Sequence, residues 1–257
     1  STSAAQRFLS FVAPERQPVM AARLAFRTNA PDAAERAGAV DAAGRNDPGF
    51  IADRAAWLRD TAQSPAMRVY LAQPRYLNAV PGNVEKWYEV LLSAARGAAN
   101  DGQYSIAYRI ASQVDDAYPA VTDVSARPYG ERDDYTSLTW LAGTTAMRQL
   151  GRPQDAVLMF SRYAGGSRTP QTQSKGLYWA GRAAEAANDT ATARAFYERA
   201  AGFPDLFYGQ LALERLGRPL AAPRPIEEQV DRATRDAFFN RETVRAEAPW
   251  LPNNVDF

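Results

Sequence analysis

Adjacent acidic residues are the groups in this chain whose type and spacing come closest to a catalytic arrangement. Asp115–Asp116 and Asp133–Asp134 are two such pairs, and two carboxyl groups can share the acid and base work of glycoside cleavage. Neighbouring helical residues point in different directions, however, and both pairs flank a proline-containing stretch at 119–133. We therefore expect solvated loop carboxylates. Glu227–Glu228 lies at a predicted helix start, where acidic side chains favourably oppose the helix dipole.

The chain contains no histidine and no cysteine. These absences exclude Ser–His–Asp hydrolysis, histidine general bases, histidine zinc sites, thiol nucleophiles and disulfides. The phosphate-binding GxxxxGK[ST] loop, the dinucleotide-binding GxGxxG turn and the EF-hand loop do not occur either. We therefore predict no cofactor and no metal, and any catalysis would depend on Asp, Glu, Lys, Tyr or Ser side chains.

Composition and charge describe a folded chain with no evident polyanionic partner. Its 257 residues are enough for one large or two modest globular units, and 46% of them are hydrophobic. The 30 basic and 29 acidic residues give a formal net charge of +1, so we predict no nucleic-acid binding. No stretch approaches the roughly 20 apolar residues of a membrane span, and no signal-peptide pattern is visible. We expect a protein that does not span a membrane.

Helix signals dominate the sequence. Ala-, Leu- and Arg-rich stretches are separated by short Gly, Pro, Asn or Asp segments, and no alternating β-branched run suggests a strand. Asp101–Gly102 lies between two helical stretches, so we predict a helix–turn–helix there rather than a β-hairpin. Asp47–Pro48 and Ala30–Asp32 place turns before helices, and Asp189–Thr190 predicts a cap for the helix that follows.

A repeat with an offset of 38 residues organises the middle of the chain. The segments WLAGTTAMRQLGRPQDAVLMF, from Trp140, and YWAGRAAEAANDTATARAFY, from Tyr178, share an aromatic start, a glycine, a turn, an alanine and a closing aromatic. At Gly143 and Gly181 a small residue lets the second helix approach closely, and the aromatic fills the gap. A looser third copy begins at Trp87. Because one hairpin cannot bury its apolar face alone, the pattern predicts stacked hairpins.

The predicted fold is all-α, an α-superhelix or solenoid of tetratricopeptide-like antiparallel helical hairpins. A compact, non-repetitive helical bundle is the alternative. We predict N-terminal hairpins over 1–118, a connecting loop over 119–133, the best-defined repeats over 134–217 and a linker over 218–257. Four tryptophans fall at helical repeat positions and are expected to pack in the core rather than stack on sugars: Trp57, Trp87, Trp140 and Trp179.

Residues 174–217 go beyond a generic solenoid pattern. They contain a YWxGRA motif at the start of a hairpin, a turn at Asn188–Asp189, a helical Ala-x-x-Phe-Tyr motif whose last residue is Tyr197, and then FYGQLA at 207–212. This succession resembles the end of the superhelical domain of the soluble lytic transglycosylases, which cleave bacterial peptidoglycan. The resemblance extends over roughly residues 50–220 and is strongest over 135–217.

The resemblance implies a periplasmic location, a ring- or U-shaped superhelix, peptidoglycan glycan strands as partner, and a lysozyme-like catalytic domain in the same parent chain. In that family, the glutamate of a Glu-Ser motif protonates the glycosidic oxygen between MurNAc and GlcNAc, and the sugar's C6 hydroxyl closes a 1,6-anhydro ring. Neither Glu-Ser nor Gly-Leu-Met-Gln occurs here, so no catalytic residue can be transferred. We expect a non-catalytic domain, inactive alone, that holds glycan or positions the catalytic domain.

The FYGQLA motif allows two hypotheses about its polar residues. Phe207, Leu211 and Leu213 are expected to pack on the preceding hairpin. Tyr208 and Gln210 carry polar tips that need partners if they are buried. They either cap the last helix through local hydrogen bonds or help to dock the catalytic domain. The docking hypothesis predicts that both are at least partly exposed beside an apolar patch.

Two other functions remain open from the sequence. One is a tetratricopeptide-like protein-interaction scaffold of the cell envelope, and the other is an enzyme acting alone through carboxylates on an α-toroid. Residues 236–246 look like the start of the family's linker helices, whereas the tail at 247–257 does not continue them. We therefore expect the chain to be truncated, proteolysed or divergent at that point.

Overall fold

The computed structural model describes residues 7–220 and 231–242, and all regular structure within those ranges is helical. The all-α prediction is therefore confirmed. The two described ranges contain twelve α-helices with given bounds, separated in places by short 3₁₀ turns: α1 (Gln17–Arg27), α2 (Ala33–Gly38), α3 (Pro48–Asp60), α4 (Ser64–Leu71), α5 (Val84–Asn100), α6 (Tyr104–Ala111), α7 (Tyr129–Arg148), α8 (Pro153–Gly165), α9 (Pro170–Ala186), α10 (Thr190–Ala201), α11 (Phe207–Arg215) and α12 (Arg232–Phe239).

The chain divides into two compact units, one ending at Leu220 and one beginning at Ala221. Helices α1 to α11 belong to the first unit. Helix α12 is the described part of the second, and its N-cap Asp231 accepts a hydrogen bond from the backbone N–H of Thr234 at 2.8 Å. The predicted helix start at Glu227–Glu228 and the tail at 247–257 lie outside the described residues.

Side-chain caps and left-handed turns set the helix boundaries that the sequence predicts. Asp47 accepts from the backbone N–H of Phe50 at the start of α3, and Asp189 accepts from that of Thr192 at the start of α10. Gly102 adopts a φ of +73° between α5 and α6, a backbone conformation that costs glycine little. The chain therefore turns between helices at the predicted positions.

Most helices pack against the helices next to them in the chain. Helices α5 and α6, α7 and α8, and α9 and α10 form hairpins, and α5 also contacts α7 while α9 contacts α11. The buried residues form three core clusters: one from α1 to the start of α3, a central one from α3 to α9, and one from α8 to α11. The half-buried Trp57 contacts the first and central clusters, and the half-buried Trp179 and Phe196 contact the central and last clusters. Trp87, by contrast, is fully buried. The apolar core is thus continuous from α1 to α11.

The connection predicted at 119–133 is shorter in the structure, because α7 already begins at Tyr129. Pro128 is the N-cap of this helix and has extended ψ, so the second proline marks the helix start rather than a loop interior. Acidic residues then occupy the first turns of α7, where they favourably oppose the helix dipole. Asp133 and Asp134 are therefore helical residues, and the prediction that they lie in a loop was wrong.

Candidate functional site

The two best sequence repeats make the same helix–helix contact. A Cβ atom added at Gly143 on α7 would lie 2.7 Å from Cε1 of Phe160 on α8. A Cβ atom added at Gly181 on α9 would lie 2.6 Å from Cε1 of Tyr197 on α10. Each aromatic ring is buried and rests on the bare backbone of its glycine. The structure thus places both glycines where the close approach of a hairpin requires them.

Aromatic rings connect these hairpins to the FYGQLA helix. Trp140 and Trp179 meet edge to face with centroids 6.1 Å apart, and Trp179 meets Tyr178 in the same way at 6.1 Å. Tyr178 in turn packs on Tyr208 of α11 at 5.6 Å, and Phe207 lies edge-on to Tyr208 at 5.1 Å. The row of rings therefore runs from the α7–α8 hairpin to the surface at the start of α11.

Helix α11 contacts the preceding hairpin through its small residues. A Cβ atom added at Gly209 would lie 1.9 Å from the carbonyl oxygen of Phe203, and Ala212 is fully buried. Because Phe207 is two residues before Gly209, it lies on the opposite side of the helix and is 66% exposed. The expectation that Phe207 packs on the hairpin was wrong. Leu211 is half-buried, and it contacts the core beside Tyr208.

The structure gives Tyr208 and Gln210 different surroundings. The Tyr208 ring is half-buried between Tyr178 and Phe207, whereas Gln210 is exposed. Neither side chain is fully buried, and Tyr208 contacts the exposed Phe207 ring. This is the exposure that the docking hypothesis requires.

A charged cluster around Glu185 holds α9, α10 and α11 together. The Tyr197 hydroxyl donates to Glu185 Oε2 at 2.9 Å. Arg182 Nε and Arg215 Nη1 lie 3.4 and 3.5 Å from the same oxygen. Burial raises the pKa of Tyr197, and its bond to Glu185 adds to the shift, so the phenol remains a hydrogen-bond donor at neutral pH.

A groove runs between α8, the N-terminal half of α9 and the start of α11. We call it the Lys175 groove; its lining includes Tyr163, Gln171, Thr172, Lys175, Leu206, Phe207 and Tyr208. The Lys175 ammonium lies 3.6 Å from the centroid of the Trp140 ring and 5.4 Å from that of Tyr163. Burial lowers the pKa of Lys175. The repeat pattern did not predict this site, although Lys175 is one of only two lysines and lies one turn before the Tyr178–Trp179 pair.

The first acidic pair is not a solvated loop pair as the sequence suggested. The Asp116 side chain is only 9% exposed, pairs with Arg75 at 2.6 Å and accepts from Trp87 Nε1 at 3.0 Å. Burial raises the pKa of Asp116, while Arg75 and Trp87 oppose that shift. Asp115 stays exposed, but it accepts from the Tyr135 hydroxyl at 2.8 Å. These carboxylates therefore connect the segment after α6 to neighbouring helices. The sequence does not predict these contacts, because the partners are far apart in the chain.

The second acidic pair lies on the first turns of α7 and is more open. Asp133 is exposed and Asp134 half-buried. Burial and the neighbouring carboxylates Asp133, Glu89 and Glu85 raise the pKa of Asp134. Neither aspartate lines the Lys175 groove, although burial raises the pKa of the lining residue Tyr163 and Asp133 is close enough to add to that rise.

No protein-family model, curated protein or solved structure matches this chain. Within residues 7–220 and 231–242, no group of three or more acidic side chains is arranged to hold a metal ion. No helix in those ranges is both long and apolar enough to cross a membrane.

Proposed function

We propose that this chain is the non-catalytic helical-hairpin domain of a peptidoglycan lytic transglycosylase, and that it holds a glycan strand. The main support is the packing of the motif residues. Tyr178 of the YWxGRA hairpin packs on Tyr208, and Gly181 lies against the ring of Tyr197. This hairpin and the FYGQLA helix therefore form one packed unit. That unit also carries the Lys175 groove, whose lining combines aromatic rings with polar side chains and one lysine.

In this proposal, bond cleavage belongs to a catalytic domain of the same parent chain. That domain would protonate the oxygen between MurNAc and GlcNAc and release 1,6-anhydro ends. Asp116 is a poor substitute for that glutamate, because it is nearly buried and paired with Arg75. The role of the domain described here is to hold the glycan strand close to the catalytic domain. Holding it there raises the effective concentration of the scissile bond at the catalytic glutamate.

Positioning of the catalytic domain is the second role within the same proposal. Tyr208 and Gln210 would form the docking surface. Half-buried aromatic groups with a free polar tip are common at interfaces, because they supply contact area and a hydrogen bond together. The proposed location is the periplasm, where peptidoglycan is found.

The proposed architecture is a tetratricopeptide-like superhelix. Its support is the repeated contact at Gly143 and Gly181, and the side chains of Trp57, Trp179 and Phe196 that bridge successive core clusters. A structure in which each hairpin packs mainly on its neighbours presents a long, continuous surface to an extended polymer.

A tetratricopeptide-like protein-interaction scaffold is the competing function, and the exposed Phe207 ring favours it. Sedimentation with purified insoluble peptidoglycan separates the two. We expect the chain to sediment with peptidoglycan and not with cellulose, which has no acidic muramic residues. A chain that stays in solution with both polymers would support the scaffold and contradict glycan holding.

A further inference from the structure

Lys175 is a cation without an acidic partner in the described part of the chain. The other lysine, Lys86, pairs with Glu89 at 2.6 Å, and Arg182 and Arg215 lie close to Glu185. Lys175 instead faces the rings of Trp140 and Tyr163. An ammonium over aromatic faces keeps its charge and retains hydrogen-bonding capacity for a ligand. The groove therefore offers an unneutralised positive charge.

The surrounding packing fixes the position of that charge. At the next residue, Gly176, an added Cβ atom would lie 2.8 Å from the backbone nitrogen of Ala164, so α8 and α9 are in close contact there. Trp140 is itself held by Phe160 at 5.2 Å and Tyr163 at 5.0 Å. A cation held on rigid neighbours loses little conformational freedom when a ligand binds.

Phe207 supplies a flat apolar surface at the other side of the groove. The ring is 66% exposed, yet it is supported edge-on by Tyr208, which packs on Tyr178. The C–H face of a pyranose ring is weakly positive and apolar, so it suits the negative face of an aromatic ring. Gln171 and Thr172 add hydrogen-bonding groups for hydroxyls and amides between the two.

We propose that the Lys175 groove binds a saccharide that carries a carboxylate, with a sugar ring on Phe207 and the carboxylate on the Lys175 ammonium. Hydroxyl and acetamido groups of the same saccharide bond to Gln171 and Thr172. The proposal rests on the proposed function for the identity of the ligand, a glycan in which muramic residues carry the lactyl carboxylate. The neutral glucosamine residues of such a strand lack the group that Lys175 recognises.

Calorimetric titration of the whole chain with three soluble tetrasaccharides tests this. The probes are a neutral N-acetylglucosamine oligomer, an alternating N-acetylglucosamine–N-acetylmuramic acid oligomer, and an alternating N-acetylglucosamine–glucuronic acid oligomer. The variants are Lys175→Gln with Lys86→Gln as its control, and Phe207→Ala with Tyr129→Ala, another exposed aromatic, as its control.

We expect Lys175→Gln to weaken binding of the muramic oligomer about tenfold, to the level of the neutral oligomer. Its affinity for the neutral oligomer should not change, which shows that the groove is intact. Phe207→Ala should weaken the binding of both the muramic and the neutral oligomer about fivefold. Both control variants should bind like the parent chain.

Equal affinities of the parent chain for the neutral and acidic oligomers would overturn the proposal. So would an unchanged preference in Lys175→Gln, even if the chain still sediments with peptidoglycan, in which case only the groove assignment fails. Lys175-dependent binding of the glucuronate oligomer without binding of the muramic oligomer would support the groove and contradict the proposed function. Binding of none of the three would overturn the groove and favour a protein partner.

Discussion

Gly143 and Phe160 are in direct contact between α7 and α8, with the ring edge where a β-carbon would otherwise be. Gly181 and Tyr197 repeat the contact between α9 and α10, and the three shortest distances in the two contacts agree to within about 0.1 Å. The sequence repeat therefore corresponds to a repeated packing contact, in which each aromatic ring fills the space that its glycine leaves.

Enlarging either glycine should destabilise the protein. Gly143→Leu and Gly181→Leu each overpack a buried contact, so we expect a loss of about 1–3 kcal/mol in the free energy of unfolding. Gly165→Leu is the control, because nothing lies within 4 Å of a β-carbon at Gly165. Thermal unfolding followed by circular dichroism measures all three. Unchanged melting temperatures for Gly143→Leu and Gly181→Leu would show that the repeat alignment is wrong.

Gly209 makes a contact that a side-chain rotation cannot relieve. A β-carbon there would lie 1.9 Å from the backbone oxygen of Phe203, so Gly209→Ala forces α11 away from the turn before it. We expect a loss near the upper end of about 1–3 kcal/mol, and faster proteolysis after residue 203. Gln210→Ala, at an exposed neighbour, should stay within about 0.5 kcal/mol of the parent. Equal stability of the two variants would contradict this packing of α11.

The Arg75–Asp116 pair should contribute far more than an exposed pair. Arg75 and Asp116 are 3% and 9% exposed, so Asp116→Ala leaves a buried guanidinium without its counter-charge. We expect a loss of about 3–5 kcal/mol in denaturant unfolding. Asp60→Ala removes an exposed partner of Arg59 and should cost less than about 1 kcal/mol. Similar losses in both variants would mean that the Asp116 carboxylate is hydrated.

The sequence predicted local features better than contacts between distant segments. Asp47, Asp189 and Gly102 acted as cap or turn residues as their types suggested, because those effects depend on near neighbours. The burial of Asp116 could not be predicted, since its partner Arg75 is 41 residues away. The apolar residues of the FYGQLA motif predict that Phe207 packs on the preceding hairpin, but Gly209 determines which face of α11 approaches that hairpin.

The site itself was only partly predictable. Trp140 and Tyr178 were recognised as repeat residues, and the structure adds that their rings belong to one row ending at Phe207. Lys175 was not singled out, because a single lysine in a helix has no sequence signature. The role proposed for Lys175 rests on the absence of an acidic partner in the described residues and on the two aromatic rings that its ammonium faces.

The purified chain should release no 1,6-anhydro-muropeptides from peptidoglycan. It has neither a Glu-Ser motif nor a histidine, and Asp116 is paired with Arg75. Chromatography with mass spectrometry of the soluble products measures this, with a complete lytic transglycosylase as the positive control. Anhydro products that disappear after one Asp or Glu substitution would instead identify an enzyme acting alone on an α-toroid.

The most direct test of the account is sedimentation of the whole chain with purified insoluble peptidoglycan, measured as the fraction of protein in the pellet against polymer concentration. We predict saturable binding that weakens with added salt, because Lys175 contributes a charge interaction. Cellulose should leave the chain in solution. A chain that remains in the supernatant at all peptidoglycan concentrations would contradict the claim that this domain holds glycan.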